Sequence, residues 1–218
     1  MNTTGFIFDL DGVIVDTAKY HFLAWKNLAN SLGIDFSNEQ NEQLKGVSRI
    51  RSLEKILSWG NKTISQEKFD SLLHEKNEEY LRYIENMDES EILPDVPRVL
   101  NLLLNGNSPI ALGSASKNAR AILKKVNLID KFDAIVDGND VTKAKPDPEV
   151  FTNAAEKIKI MPNQCVVFED SVAGIQAAKK ANMLAIGIGE SNILYEADYV
   201  FKSFEEISSD FINKLMSN

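Results

Sequence analysis

The sequence predicts an α/β protein: a Rossmann-like parallel-sheet core domain with an inserted α-helical cap domain. Three observations predict it. Short β-rich apolar runs begin with Gly5-Phe6-Ile7-Phe8 and recur after Pro94. Between the later runs lie stretches with apolar residues at helical spacing, the rhythm of a parallel sheet covered by helices on both faces. From about residue 17 to residue 90 the pattern stays helical and highly charged. The expected division is residues 1–15 and 91–218 for the core and residues 16–90 for the cap.

Each element has its own signal. The run at residues 5–8 is short, β-rich and ends in a carboxylate, so it reads as a buried strand. Residues 17–33 carry Tyr20, Phe22, Trp25, Leu28, Ala29 and Leu32 at helical spacing, and Gly33 is a plausible stop. Further helices are expected at residues 38–44, 50–59 and 66–84, the last capped by Ser65. His74 reads as a surface residue and Trp59 as core. The acidic run Asp88-Glu89-Ser90-Glu91 reads as a solvated linker that forms a two-stranded hinge with Val15-Asp16-Thr17. Then helix and strand alternate. Helices are expected at residues 96–104, 118–127, 148–158 and 172–181. Strands are expected at 109–113, 134–136, 165–168, 184–188 and 199–201, before a C-terminal helix.

Composition narrows the function. Of 218 residues, 44% are hydrophobic, enough for a sizeable core. The balance of 24 basic against 32 acidic residues gives −8, which repels nucleic acid and anionic membranes, so neither is an expected partner. An anionic substrate would need a local cluster of cations or a metal. The one cysteine, Cys165, lies in an apolar run and reads as a buried strand residue rather than a reactive thiol. No apolar run approaches about 18 residues, and an acidic residue by position 9 argues against a signal peptide. A soluble, cytoplasmic monomer is expected.

Four stretches carry chemistry. In Asp9-Leu10-Asp11-Gly12, alternation along an extended chain puts both carboxylates on one side. They follow a predicted strand, where open parallel sheets place their ligands. Two close carboxylates repel, and a bound Mg²⁺ would relieve that cost. One could then attack phosphorus while the other handles a proton; a solvated turn is the plain alternative. Gly113-Ser114-Ala115-Ser116 offers a hydroxyl and free backbone N–H groups before a helix, a phosphate cradle or an ordinary cap. Lys145-Pro146 holds a cation in a loop, and alone it reads equally as a solvated one. Glu169-Asp170 ends a strand with oxygen ligands suited to a hard cation, or caps the following helix.

In this order, each at a predicted strand end, the stretches resemble the haloacid dehalogenase superfamily of phosphotransferases. Asp9/Asp11, Ser114, Lys145 and Glu169/Asp170 match its four motifs. The resemblance implies an aspartyl-phosphate on Asp9, with Asp11 as general acid and base. It implies that Ser114 and Lys145 bind the transferring phosphoryl group. It also implies Mg²⁺ held by Asp9, Asp170 and the backbone carbonyl of Asp11, with Glu169 supporting. The helical insert resembles that superfamily's cap.

Within the superfamily, residues 17–22, 41–49 and 114–118 resemble its sugar phosphomutases, nearly end to end. That implies an isomerase moving a phosphoryl group between the 1- and 6-oxygens of glucose through a 1,6-bisphosphate. A Mg²⁺-dependent sugar-phosphate phosphatase is the alternative. A mutase must hold a second phosphate away from Asp9. Arg49 offers a guanidinium fork, and Ser116, Lys117 and Asn118 add donors. Thr17, His21 and Trp25 recur at four-residue spacing on one helix face. The resemblance gives His21 and Lys76 roles close to the substrate and Asp11, although spacing alone places Lys76 on a solvated face. It extends substrate contacts to Thr17, Trp25, Lys45, Gly46 and Ala115. Lys45 or Lys76 as a Schiff base would suit phosphonate hydrolysis instead. A silent sensor would fit a degraded acidic set, but all the acids are present.

Overall fold

In strand β1 (Gly5–Phe8) successive side chains leave on opposite faces. Phe6 and Phe8 enter one apolar cluster, and Ile7 enters another. The same alternation recurs in β2 (Ile110–Gly113) and β4 (Cys165–Glu169), where every residue is buried, as parallel strands covered on both faces require. The computed structural model describes residues 3–217. Its six-stranded sheet is completed by β3 (Ala134–Val136), β5 (Leu184–Ile188) and β6 (Tyr199–Phe201). The order is β3-β2-β1-β4-β5-β6, with every pairing parallel. From β1 the chain proceeds first to one side and later to the other, so the switch point lies between β1 and β4.

Helices α5 (Val96–Asn105), α6 (Ala119–Lys125) and α9 (Ser209–Met216) pack on the Phe6/Phe8 face, and α7 (Glu149–Lys157) and α8 (Val172–Lys180) on the other. Phe8 stacks on Phe168 at 4.7 Å between centroids, fastening the two strands that flank the switch point.

The insert comprises α1 (Ala18–Ser31), α2 (Asn38–Glu42), α3 (Arg49–Trp59) and α4 (Gln66–Ile84). It has an apolar cluster of its own, including Trp25, Leu28, Phe36, Leu53, Ile56 and Leu72, with Trp59 half-buried at its edge. His74 is exposed. Ala24, Tyr80 and Ile84 join the core cluster instead, so the base of the insert is welded to the sheet domain. Ser65 caps α4 by accepting from Lys68 N at 3.2 Å. The expected two-stranded hinge is reduced to one antiparallel bridge, Val15 with Ile92. Residues Glu89–Glu91 coil into a 3-10 turn instead of extending. Glu91 is not free in solvent, since Lys19 and Tyr20 each reach its carboxylate at 2.6 Å.

Candidate active site

Register brings the four motifs together. Phe8 lies opposite Leu112 on one side and Phe168 on the other. Asp9, Ser114 and Glu169 therefore leave the same edge of the sheet, and Asp9 N donates to Phe168 O at 3.0 Å. This is the carboxyl edge at the switch point, where open α/β sheets bind ligands.

Lys145 reaches this edge from the loop between β3 and α7, over the Phe151 ring at 4.6 Å. Its ammonium lies 2.6 Å from Asp9 Oδ1 and 2.7 Å from Glu169 Oε2, with no exposed side-chain surface. The two carboxylates hold it well above the ordinary lysine range, against the pull of burial. Burial pushes the Asp9 carboxyl well up; Lys145 opposes this, and Glu169, Asp11 and Asp170 add to it. Glu169 Oε1 accepts from Ser171 Oγ at 2.7 Å and from the N–H groups of Ser171 and Asp170 at 3.0 and 3.1 Å. Both Glu169 oxygens are thus engaged within the protein.

Asp170 is pushed up to about 7, mainly by burial, while Lys45 from the insert pulls it down across 3.2 Å. Gly12 turns the chain beneath it at φ +79, where a Cβ would stand 2.3 Å from Asp170 Oδ2. Only glycine fits both the conformation and the space. Gly46 does the same from the insert, at φ +68, with Ser171 Oγ 2.4 Å from where a Cβ would be. Ligand oxygens of Asp9, Glu169 and Asp170 lie within 4.8 Å of one another. An all-oxygen set in which burial and neighbouring carboxylates hold Asp9 and Asp170 up fits a hard divalent cation.

Asp11 is half-buried and accepts the Thr17 hydroxyl. Burial raises its carboxyl and this hydrogen bond opposes the rise. Thr17 consequently makes no capping bond to α1, although it stands at the N-cap. His21 Nε2 faces Asp11 at 3.8 Å, and Nδ1 lies 2.8 Å from Lys76 Nζ. Burial, with Lys76 and Arg49 nearby, keeps His21 neutral well below its usual range. Lys76 is buried, not solvated: it sits over Trp25 and Tyr80 at 4.8 and 4.7 Å, and desolvation lowers it to about 7.

On the cradle side, Ser114 is buried and its hydroxyl accepts Ser116 N at 3.1 Å. Ser116 Oγ accepts Asn118 N at 3.2 Å. Ala115 is half-buried between them and Lys117 is exposed. Arg49 opens α3 behind the N-cap Ser48, and its Nη2 donates to Asn77 Oδ1 at 2.6 Å. Asn118 Nδ2 donates to the same oxygen at 3.3 Å. Sequence reasoning missed Asn77, the ring of Tyr80 lying tilted against His21 at 4.1 Å between centroids, and Ser171. Tyr80 had a visible signal, its four-residue spacing from Lys76.

The haloacid dehalogenase-like hydrolase family matches residues 3–182. A β-phosphoglucomutase of Bacillus subtilis is 43% identical over 211 residues, covering 95% of this chain and 93% of that protein. A fructose-1-phosphate phosphatase of Escherichia coli is 33% identical, covering 84% of this chain and 95% of that protein. The crystal structure of a β-phosphoglucomutase from Clostridium difficile superposes with a TM-score of 0.93 at 40% identity, covering 99% of this chain and 97% of that one.

Proposed function

Because the chain belongs to the haloacid dehalogenase-like hydrolase family, we propose that it interconverts β-D-glucose 1-phosphate and D-glucose 6-phosphate, a β-phosphoglucomutase activity. The route runs through an aspartyl-phosphate on Asp9 and β-glucose 1,6-bisphosphate. One observation carries the mutase reading over a phosphatase. Arg49 from the insert and Asn118 from the core converge on one oxygen across the cleft, at 2.6 and 3.3 Å. Donors gathered there suit a second phosphate, which simple hydrolysis does not need.

The residues divide the work. Phosphorylated Asp9 presents its phosphorus to the sugar's 6-hydroxyl while the 1-phosphate lies toward Arg49, Ser116, Lys117 and Asn118. Asp11 takes the hydroxyl proton as the new P–O bond forms and the bond to Asp9 breaks. The bisphosphate then turns, its 1-phosphoryl group passes back to Asp9, and Asp11 protonates the departing 1-oxygen. Ser114 and Lys145 bind the moving phosphoryl group. Glu169 fixes Lys145 against Asp9. Thr17 orients Asp11, and neutral His21, backed by Lys76, approaches Asp11 from the insert. Lys45, Gly46 and Trp25 close the sugar side and exclude water, which would otherwise take the phosphoryl group. Mg²⁺ held by Asp9, Asp170 and the Asp11 carbonyl would offset the charge of the phosphoryl oxygens.

Among the described residues no helix is long and apolar enough to cross a membrane. The setting that belongs to this reading is a cytoplasmic monomer acting on sugar phosphates.

A coupled assay with β-glucose 1-phosphate, Mg²⁺ and a trace of bisphosphate tests the reading. Glucose 6-phosphate is expected, and Asp9→Ala should abolish both turnover and phosphoenzyme labelling. Free phosphate accumulating without glucose 6-phosphate would establish the phosphatase instead.

A further inference from the structure

Arg49 is a half-buried cation with an unusual lack of company. Its guanidinium makes one side-chain hydrogen bond among the described residues, to the neutral oxygen of Asn77, and no ion pair. Arg51, Arg98 and Arg120 meet carboxylates, and Arg82, which pairs with none among the described residues, is exposed to solvent rather than set in a cleft. In a chain with 32 acidic residues and a net charge of −8, a cleft arginine left unneutralised is a feature of the site rather than of the composition. Its charge is unspent and available to an anion.

Asn77 lies on α4, directly after Lys76 and facing the cleft between insert and core. Its Oδ1 takes Arg49 Nη2 at 2.6 Å from α3 and Asn118 Nδ2 at 3.3 Å from the start of α6. One oxygen thus ties a donor of the insert to a donor of the core. An aspartate would have the same shape and would tie them more strongly, but it would neutralise the arginine and place a negative charge where a phosphate must come. The amide orients the two donors and leaves the charge.

We infer that Asn77 is a positioning residue for the second phosphate: it holds Arg49 and Asn118 converged across the cleft while remaining neutral. The inference rests on the mutase reading above. Asn77 touches neither Asp9 nor Asp11 by any hydrogen bond, so its influence falls on binding of the bisphosphate rather than on bond making.

Two variants separate this from a role in folding. Asn77→Ala removes the shared acceptor, and Asn77→Asp keeps it and adds charge. Kinetics with β-glucose 1,6-bisphosphate and thermal unfolding are measured for both. Each variant should raise KM for the bisphosphate by about tenfold or more, the scale of a lost or opposed charged hydrogen bond, with a smaller fall in kcat. The decisive sign is the order. Asn77→Asp should unfold at the higher temperature of the two, because Arg49 gains an ion partner, yet show the higher KM. A lower KM in whichever variant unfolds at the higher temperature, or KM values equal to the parent's, would overturn the inference. A parent enzyme that releases phosphate and forms no glucose 6-phosphate would instead overturn the mutase reading on which it stands.

Discussion

Lys145 enters the site with no exposed side-chain surface and meets two carboxylates there at 2.6 and 2.7 Å. Breaking a buried ion pair by removing one partner typically costs about 3–5 kcal/mol, because the remaining charge is stranded. Lys145→Met should therefore lose stability on that scale and all turnover. Adding Glu169→Gln removes one stranded charge while leaving an oxygen to accept from Ser171. The double variant should recover a large part of the stability and none of the activity. Urea unfolding and the coupled assay measure both, and a double variant no more stable than the single would refute this account of the triad. At this scale the sequence was only partly legible. Lys-Pro in a loop looks solvated, because nothing local announces that Asp9 and Glu169 lie 136 and 24 residues away and yet within reach. Lys76 was more readable than its charged surroundings suggested. Leu72, Lys76, Tyr80 and Ile84 are the buried residues of α4 and repeat every four positions, so the lysine sits on the apolar stripe itself.

The start of α8 shows how an element carries the site. Ser171 is its N-cap, accepting from Gly174 N at 3.0 Å, and the same hydroxyl donates to Glu169 at 2.7 Å. Gly174 lies within the helix, where alanine would ordinarily gain about 1 kcal/mol. Here an added Cβ would stand 1.9 Å from Glu169 Oε2, the oxygen that holds Lys145. Gly174→Ala should therefore destabilise by about 1–3 kcal/mol as overpacking does, and lower turnover as Glu169 is displaced. A variant about 1 kcal/mol more stable than the parent would refute the contact. The elements themselves were largely legible. The 66–84 helix and the β3, β5 and β6 strands have the expected bounds, since period and flanking breakers both act locally. The misses have tertiary causes. The helix expected over residues 38–44 stops at Glu42. Leu44 turns into the insert's apolar cluster, and Gly46 follows in a left-handed turn against Ser171. The hinge shortens because Glu91 serves Lys19 and Tyr20.

For the molecule as a whole, the fold followed from alternation and the site from strand ends, but the balance of charge between them did not. Asp9 and Asp170 are both pushed up, chiefly by burial, Asp170 to about 7. An acid whose pKa is higher folded than unfolded stabilises the protein below its unfolded pKa and loses that contribution as pH rises through the folded value. In EDTA the protein should accordingly lose stability from about pH 4 to beyond pH 7. A divalent cation requires the same carboxylates ionised, so its binding gains with pH over the same window. At a magnesium concentration of about 100 times Kd, binding adds roughly 2.7 kcal/mol. For a protein of this size that is on the order of 5–10 °C in Tm. Thermal unfolding with magnesium or EDTA should thus show a shift of that size at pH 8 and a much smaller one at pH 5.5. Asp170→Asn should abolish the shift and flatten the slope seen in EDTA. An equal magnesium shift at both pH values would mean that the cation does not displace protons from this cluster, and the assignment of Asp9 and Asp170 as its ligands would fall.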